Sequence, residues 1–256
     1  MKQNEVRVLK HWQKKYLLEG CMVLFVLAMC FFFLSQAVEY WGAMLILAII
    51  VAAVMFLMGR ALNEALQNKA ERLIWDNHKQ QFGDLEFDVG GGIATEVLEN
   101  HNVLNGKQAR ECFNVLKSEN YSFEEDLFYT EHRIRWFSIR NTAFRGIIIR
   151  IKATMLAENT DSEGYLVRDD FLVEGPLKGF LARREGYKEL VKLLKLLHAT
   201  KMQIIAEDGE IYFWIKTPTK IFYQFNLLED ISPLPFMTRV QQFQQIAESL
   251  YETYNT

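Results

Sequence analysis

The chain has 256 residues and a formal net charge of −3. Residues 1–80 carry 9 Lys and Arg against 6 Asp and Glu, whereas residues 81–256 carry 20 against 26. Nucleic-acid-binding domains usually present a basic face, so this acidic excess argues against such a role. The 3 cysteines include no CxxC pair, which argues against a disulfide framework and fits a reducing compartment.

Two apolar stretches lie close together near the N-terminus. Residues 41–58 contain no charged side chain and are long enough to span a membrane, and residues 21–34 reach that length with their apolar flanks. Only the segment 35–40 separates them. Since unpaired backbone is not tolerated in lipid, this short link predicts a transmembrane helical hairpin.

The distribution of positive charge predicts how this hairpin is oriented. Lys and Arg flank both spans, whereas the link carries only Glu39. The positive-inside rule then places both termini and the remainder of the chain in the cytoplasm. Cleavage of the first span as a signal peptide after residues 35–37 is the alternative, and it would leave the second span facing the same way.

The pattern after the spans predicts an α+β domain. Apolar residues between 62 and 74 recur at helical spacing, which indicates that the second span continues as a stalk. The resulting division is a basic cytoplasmic N-terminus (1–16), the membrane hairpin (17–59), the helical stalk (60–81) and a cytosolic domain of helices and antiparallel strands (82–256).

Within this domain, the elements are predicted in chain order. Glycines 90–92 indicate a flexible joint, and helices are expected over 94–99 or 107–118. Strands are expected over 127–129, 133–140, 144–151, 165–167, 171–173 and 221–226, with a turn at 141–142. A helix over 187–197 precedes a hairpin over 202–216 that turns at Asp208-Gly209, and a closing helix follows the prolines near 233.

No strong catalytic or metal-binding motif is present, and no cofactor is predicted. The loop at 159–170 echoes a calcium-binding loop through Asn159, Asp161, Glu163 and Asp170, but it departs from that motif at its first and last positions. An ordinary polar hairpin loop explains the same letters.

Two acidic clusters and one cysteine are further candidates for chemistry. Residues 124–126 and 169–170 could supply carboxylates for acid–base work or Mg²⁺, although such clusters are more often solvated strand edges. Cys112 could be a nucleophile, but a small core residue is the simpler interpretation. The aromatic residues of the predicted strands favour core packing, with a partner-binding patch as the alternative.

Four short segments occur in a fixed order: YSFEEDLFYT at 121–130, FRGII at 144–148, the helix near 187–197 and the hairpin at 204–215. In this order they resemble a bacterial family known as domain of unknown function 3137. The resemblance implies two membrane spans followed by a cytosolic domain in a bacterial inner membrane. It implies no catalytic residues.

These features together favour an interaction protein. We expect a membrane-anchored scaffold that recruits an unidentified protein partner to the inner membrane, with the lipid bilayer as its second partner and no nucleic acid. A membrane-tethered enzyme that uses acidic or metal-binding residues is the alternative, and a transport-complex subunit is a third. The spacing of Ala48 and Ala52 also leaves homo-oligomer formation open.

Overall fold

The N-terminal part of the chain consists of two long helices. Helix α1 spans Gln3–Ala37 and α2 spans Trp41–His78. At 1.5 Å per residue they are about 52 and about 57 Å long, which exceeds a hydrocarbon core of about 30 Å. Both are long and apolar enough to cross a membrane, and only 6% of each apolar window is buried. Such exposure distinguishes them from the core helices of a soluble domain.

The computed structural model describes residues 3–37, 41–88, 92–93, 98–99, 108–134, 137–153, 164–168, 171–174, 184–207, 209–219, 221–222, 228–229 and 232–255. The chain forms two compact units. One comprises Met1–His78 with Gln224–Met237, and the other comprises Lys79–Tyr223 with Thr238–Thr256.

Helices α1 and α2 run antiparallel. His78 Nε2 lies 2.7 Å from Glu5 Oε2, and Lys69 Nζ lies 5.2 Å from the centroid of the Tyr16 ring. Contacts that join early residues of one helix to late residues of the other require opposite directions. Helix α2 also continues without a break from the apolar stretch through residues 62–74, which confirms the predicted helical extension.

The helix pair changes character along its length. Residues near the start of α1 and the end of α2 are buried: Leu9, Tyr16, Leu66, Ala70, Ile74 and Trp75. Residues in the apolar stretches are exposed, as Phe25 and Phe56 show with 68% and 72% exposure. The exposed apolar band suits contact with a bilayer, whereas the packed end of the helix pair suits contact with water.

The second unit is built on an eight-stranded sheet. Its strands are β1 (Glu86–Asp88), β2 (Ala109–Lys117), β3 (Tyr121–Ile134), β4 (Phe137–Lys152), β5 (Gly164–Arg168), β6 (Phe171–Glu174), β7 (Lys201–Glu207) and β8 (Glu210–Lys216). The order across the sheet is β1-β2-β3-β4-β8-β7-β6-β5. All neighbours are antiparallel except β6 and β7, which are parallel. Together with helices α3 (Arg184–Leu196) and α4 (Leu234–Asn255), this sheet confirms the α+β fold class.

The central strands carry side chains on two faces. On one face Phe123 contacts Phe243 of α4, with ring centroids 5.6 Å apart, and Phe213 contacts Tyr254. On the other face an aromatic cluster forms from Phe128, Phe144 and Trp214, together with Ile93, Leu98, Ile148, Ile205 and Tyr212. Because successive residues of a strand alternate between faces, Glu124 and Asp126 lie on the same face as Phe128.

Of the two helices predicted as alternatives, the one over 107–118 is wrong, because Ala109–Lys117 forms strand β2, whereas residues 98–99 of the other are helical. The pairing of β2 with β3 jumps between Phe113 and Leu116, so Asn114 and Val115 together oppose a single residue. Asn114 has φ of 49° in the left-handed region, which Asn tolerates better than most residues. The bulge interrupts the two-residue alternation of the strand, and the interrupted pattern imitates a helical period.

The strand predicted over 133–140 is divided between the end of β3 and the start of β4, and the turn predicted at 141–142 is wrong. Ile134 pairs with Phe137, so β3 and β4 form a hairpin, and residues 135–136 between them lie outside the described residues. Asn141 and Thr142 lie inside β4, where the register shifts opposite Tyr129. Aromatic and β-branched residues continue past positions 135–136 in the sequence. Residue type alone therefore favoured a turn at the next polar pair, Asn141-Thr142.

Other predicted elements are confirmed. Strands β7 and β8 pair as a hairpin, with Gly209 at φ of 77° in its turn. Strands β5 and β6, helix α3 and the closing helix α4 also form as expected. Residues 221–222 are not part of a strand. Asp208, residues 223–226 and most of 94–99 lie outside the described residues.

Candidate functional site

A cluster of charged groups lies buried on the sheet face opposite α4. Glu124 and Asp126 come from β3, and Arg110 and Cys112 come from β2, where Cys112 pairs directly with Asp126. The side chains of Glu124 and Asp126 are 2% and 0% exposed, and that of Arg110 is 13% exposed. These four residues are called the Arg110 cluster below.

Arg110 is the centre of this cluster. Its Nη2 lies 2.6 Å from Glu124 Oε1 and 3.0 Å from Asp126 Oδ2, and its Nε donates to Asp126 Oδ1 at 3.2 Å. Its Nη1 donates to the carbonyl of Ile93 at 2.6 Å. One guanidinium thus binds both carboxylates and one main-chain carbonyl, as its planar fork of donors allows.

The cluster also fixes the chain segment at Gly92 and Ile93. The Ile93 N–H donates to Glu124 Oε2 at 2.9 Å, so both main-chain polar groups of Ile93 are bound by cluster side chains. A Cβ on Gly92 would lie only 2.9 Å from Arg110 Nη2 and 3.0 Å from Cys112 Sγ. Glycine at 92 therefore permits the close approach of this segment, whereas Gly90 and Gly91, part of the predicted joint, lie outside the described residues.

The β2 bulge sets the position of Glu124. Asn114 and Val115 lie across from Glu124, between the pairs that join Phe113 to Glu125 and Leu116 to Phe123. A bulge bends the strand and redirects the neighbouring side chains. Glu124 therefore has no partner in register on β2, and its side chain contacts both Arg110 and the Ile93 N–H.

The third carboxylate of the acidic run points elsewhere. Glu125 is 3% exposed, and its Oε1 accepts a hydrogen bond from the Ile221 N–H at 3.1 Å. Strand alternation thus separates Glu125 from the pair formed by Glu124 and Asp126. All three carboxylates are buried, so the interpretation of residues 124–126 as a solvated strand edge is wrong.

The electrostatics favour a proton held within the carboxylate pair. Burial, and then the negative charge of Asp126, raise the pKa of Glu124 to about 8, although Arg110 opposes the shift. Burial also raises the pKa of Asp126 against the opposing effect of Arg110. A single guanidinium balances one carboxylate, so one proton on the pair leaves the cluster neutral near pH 7.

The same surroundings make Cys112 a poor nucleophile. Burial and the nearby charges of Glu124 and Asp126 raise the pKa of its thiol far above the ordinary range. Since the thiolate is the reactive form, this thiol is inert at neutral pH. This agrees with the interpretation of Cys112 as a packing residue, although its neighbours are polar rather than apolar.

The cluster contains three groups that can bind metals. Ligand atoms of Cys112, Glu124 and Asp126 lie within 4.8 Å of one another. Arg110, however, already supplies the positive charge and contacts both carboxylates. A cation would have to displace the guanidinium and deprotonate the thiol, so the donor set fits a metal poorly.

The remaining acidic and amide residues singled out from the sequence belong to the loop at 159–170. Asn159, Asp161, Glu163, Asp169 and Asp170 all lie outside the described residues. Strand β5 occupies the middle of the predicted calcium loop, and strand β6 begins directly after it. No link between the two acidic clusters can therefore be drawn from the part of the chain that is described.

Sequence reasoning missed Arg110, Gly92 and the main chain of Ile93. The available signal was the Glu-x-Asp spacing at 124 and 126 between apolar residues in a strand, which places two carboxylates on one buried face. A buried acidic pair requires a cation, but the sequence does not show which Lys or Arg supplies it. No family model, curated protein or solved structure matches this chain.

Proposed function

We propose that this protein is an inner-membrane-anchored scaffold whose cytosolic α+β unit recruits a protein partner. In this proposal α1 and α2 cross the bacterial inner membrane as a hairpin, with both termini in the cytoplasm. The bilayer holds the anchor, and the sheet with its helices presents the binding surface.

The observation that carries the proposal is the exposed apolar band of α1 and α2. Side chains such as Phe25, Phe32, Leu45 and Phe56 are more than half exposed, so water would be an unfavourable environment for them. At about 25 cal/mol per Å² of apolar surface removed from water, a band of this size strongly favours a bilayer.

The character of the Arg110 cluster supports a scaffold over an enzyme. Its guanidinium is bound to both carboxylates and to a main-chain carbonyl, and its thiol is not ionised. These groups hold β2, β3 and the Ile93 segment together. In this arrangement the groups serve to hold the sheet together, which favours a scaffold over an enzyme.

Orientation is tested with reporter fusions to the full-length chain. We expect a fluorescent reporter that folds only in the cytoplasm to be active after Thr256 and before Met1. A phosphatase reporter that works only outside the cytoplasm should be active when inserted in the link at residues 38–40. The reverse pattern would contradict the proposed topology.

Recruitment is tested by purification from native membranes in mild detergent at native expression. The matched control carries residues 1–81 alone, which retain both spans and lack the cytosolic unit. A stoichiometric protein that accompanies the full chain and is lost from the control would support recruitment. Absence of any such protein under chemical cross-linking would contradict it.

A membrane-tethered enzyme or metal protein is the second candidate, because three ligand-type groups converge at Cys112, Glu124 and Asp126. Titration of the full-length protein with Zn²⁺ or Mg²⁺ separates the two. Tight binding by the native chain that is lost in Asp126→Asn would favour the metal site. We expect no saturable binding at this position, since Arg110 holds the cation position.

A further inference from the structure

The main chain of Ile93 is bound by side chains of the sheet in the way that a peptide ligand is bound. Its N–H donates to Glu124 Oε2 at 2.9 Å, and its carbonyl accepts from Arg110 Nη1 at 2.6 Å. Gly92 and Ile93 are not part of any strand. They are therefore held by side chains of β2 and β3 and not by a ladder of main-chain hydrogen bonds.

The residue before Ile93 has to be glycine. A Cβ on Gly92 would lie 2.9 Å from Arg110 Nη2 and 3.0 Å from Glu124 Oε2, the two side chains that bind the next residue. The residue that follows needs an N–H for Glu124, which excludes proline. Its side chain must be apolar, because Ile93 is buried within the aromatic cluster.

Trp214 in the same cluster holds an unused hydrogen-bond donor. Its side chain is 2% exposed, and its Nε1 has no hydrogen-bond partner in the part of the chain that is described. Ile93 and Leu98, which pack in this cluster, leave that donor unsatisfied. A buried donor without an acceptor is unfavourable, so a segment that brings a carbonyl to Trp214 would bind this face better.

This donor lies in register with the carboxylate that binds Ile93. Glu124 pairs with Ile148 of β4, and Ile148 pairs with Trp214 of β8. Two strand spacings place the main chain of Glu124 and that of Trp214 about 10 Å apart. An extended chain covers this distance in about three residues. A segment held by Glu124 can therefore present a carbonyl to Trp214 about three residues further along.

We propose that this face of the sheet is a peptide-binding site, which Gly92-Ile93 occupies until a segment of the partner protein replaces it. The proposal rests on the scaffold function proposed above and defines the chemistry of the partner. The partner supplies an extended segment in which glycine precedes an aliphatic residue, and one of its carbonyls accepts from Trp214 Nε1. A joint at glycines 90–92, which the sequence predicts, lets the chain's own segment leave while the sheet stays folded.

Fluorescence anisotropy of a dye-labelled synthetic peptide that copies residues 89–99 tests the proposal on the full-length protein in mild detergent. In the native chain the peptide competes with a tethered segment at an effective concentration on the order of 1 mM, so binding is weak. Gly92→Ala in the protein places a Cβ against Arg110 and destabilises the tethered segment. We expect this variant to bind the peptide at least about tenfold more tightly than the native chain.

Matched changes separate this site from non-specific binding. In the protein, Gly59→Ala adds the same methyl group where nothing lies within 4 Å, and it should bind the peptide as the native chain does. In the peptide, Gly92→Ala introduces the same clash and Ile93→Pro removes the N–H that Glu124 binds. Either change should weaken binding to the Gly92→Ala protein at least about tenfold. A Gly92→Ala protein that is folded by circular dichroism and binds no peptide, or binds all three peptides equally, would overturn the proposal.

Hydrogen exchange of the native chain gives a second test that needs no substitution. Because the segment leaves without the sheet, the Ile93 amide should exchange at least about tenfold faster than the paired amides of β3 and β4. Exchange of Ile93 only through global unfolding would overturn the proposal, even if Gly92→Ala failed to fold. The assay uses a synthetic peptide, so peptide binding without any co-purified protein would support this site while contradicting recruitment.

Discussion

Arg110 Nη2 lies 2.6 Å from Glu124 Oε1 in a part of the sheet where the glutamate side chain is only 2% exposed. The two residues are close because β2 and β3 pair, and because the bulge at Asn114 and Val115 opposes Glu124. This ion pair joins the sheet to Ile93, which belongs to the aromatic cluster. Loss of this ion pair should therefore weaken the attachment of Ile93 as well as the contact between the two side chains.

Removal of the guanidinium should strongly destabilise the sheet-containing unit. Arg110→Met leaves Glu124 and Asp126 buried without a counter-charge, and we expect a loss of about 3–5 kcal/mol in unfolding free energy at pH 8. Urea unfolding of the full-length protein in mild detergent, followed by tryptophan fluorescence, measures the change.

Arg140→Met is the matched control for this substitution. The Arg140–Glu111 pair is 46% and 33% exposed, so its loss should cost less than about 1 kcal/mol. Equal effects of the two substitutions would show that the Arg110 cluster is not a buried ion network.

The raised pKa of Glu124 predicts that stability falls as pH rises. The folded protein holds this proton up to about pH 8, whereas the unfolded chain releases it near about pH 4.3. Between these values the folded state binds more protons, so each rise in pH removes stability, at most about 1.4 kcal/mol per unit. Unfolding at several pH values from 5 to 8 (roughly the window of the shift) measures this slope.

Glu124→Gln tests the assignment of that slope. Glutamine resembles the protonated carboxyl group, so the variant should show a flatter dependence of stability on pH in the same window. A variant slope as steep as that of the native chain would assign the proton to another group.

Alanine at Gly146 should be poorly tolerated. Gly146 pairs with Asp126 on one side and with Lys216 on the other, and a Cβ here would overlap the Ile215 carbonyl oxygen. We expect the free energy of unfolding to fall by an amount near the upper end of about 1–3 kcal/mol, because a main-chain carbonyl cannot move aside as a flexible side chain would. Gly59→Ala, with nothing within 4 Å of the added Cβ, should be neutral or stabilising. Comparable thermal unfolding of the two variants would contradict this account.

The buried pair at the end of the helical hairpin should hold α1 and α2 together. Glu5 and His78 have side chains that are 1% and 8% exposed. Glu5→Ala removes the carboxylate that contacts the His78 imidazole, and we expect the free energy of unfolding to fall by about 1–3 kcal/mol. Hydrogen exchange of the backbone near residues 5 and 78 should accelerate.

Arg60→Ala removes the exposed pair with Glu64 and serves as the control for this comparison. Its effect should stay below about 0.5 kcal/mol, as is usual for an exposed pair four residues apart on a helix. Unchanged exchange in Glu5→Ala would show that the helix ends are held by apolar contacts alone.

The sequence by itself determined the two long apolar helices, the continuation of α2 and the α+β class. These features depend on local composition and periodicity, which are written directly in the chain. The β7–β8 hairpin was predictable for the same reason, since its Asp-Gly turn needs the positive φ that Gly209 adopts.

Only the tertiary structure decided the assignment of β2, the link between β3 and β4, and the Arg110 cluster. A bulge hides the strand period of β2, and its effect is visible only from the pairing partner. The burial of Glu124 and Asp126 depends equally on Arg110, which lies 14 and 16 positions earlier in the chain. A carboxylate in a strand can be solvated or buried with a cation, and the choice depends on which strands lie beside it.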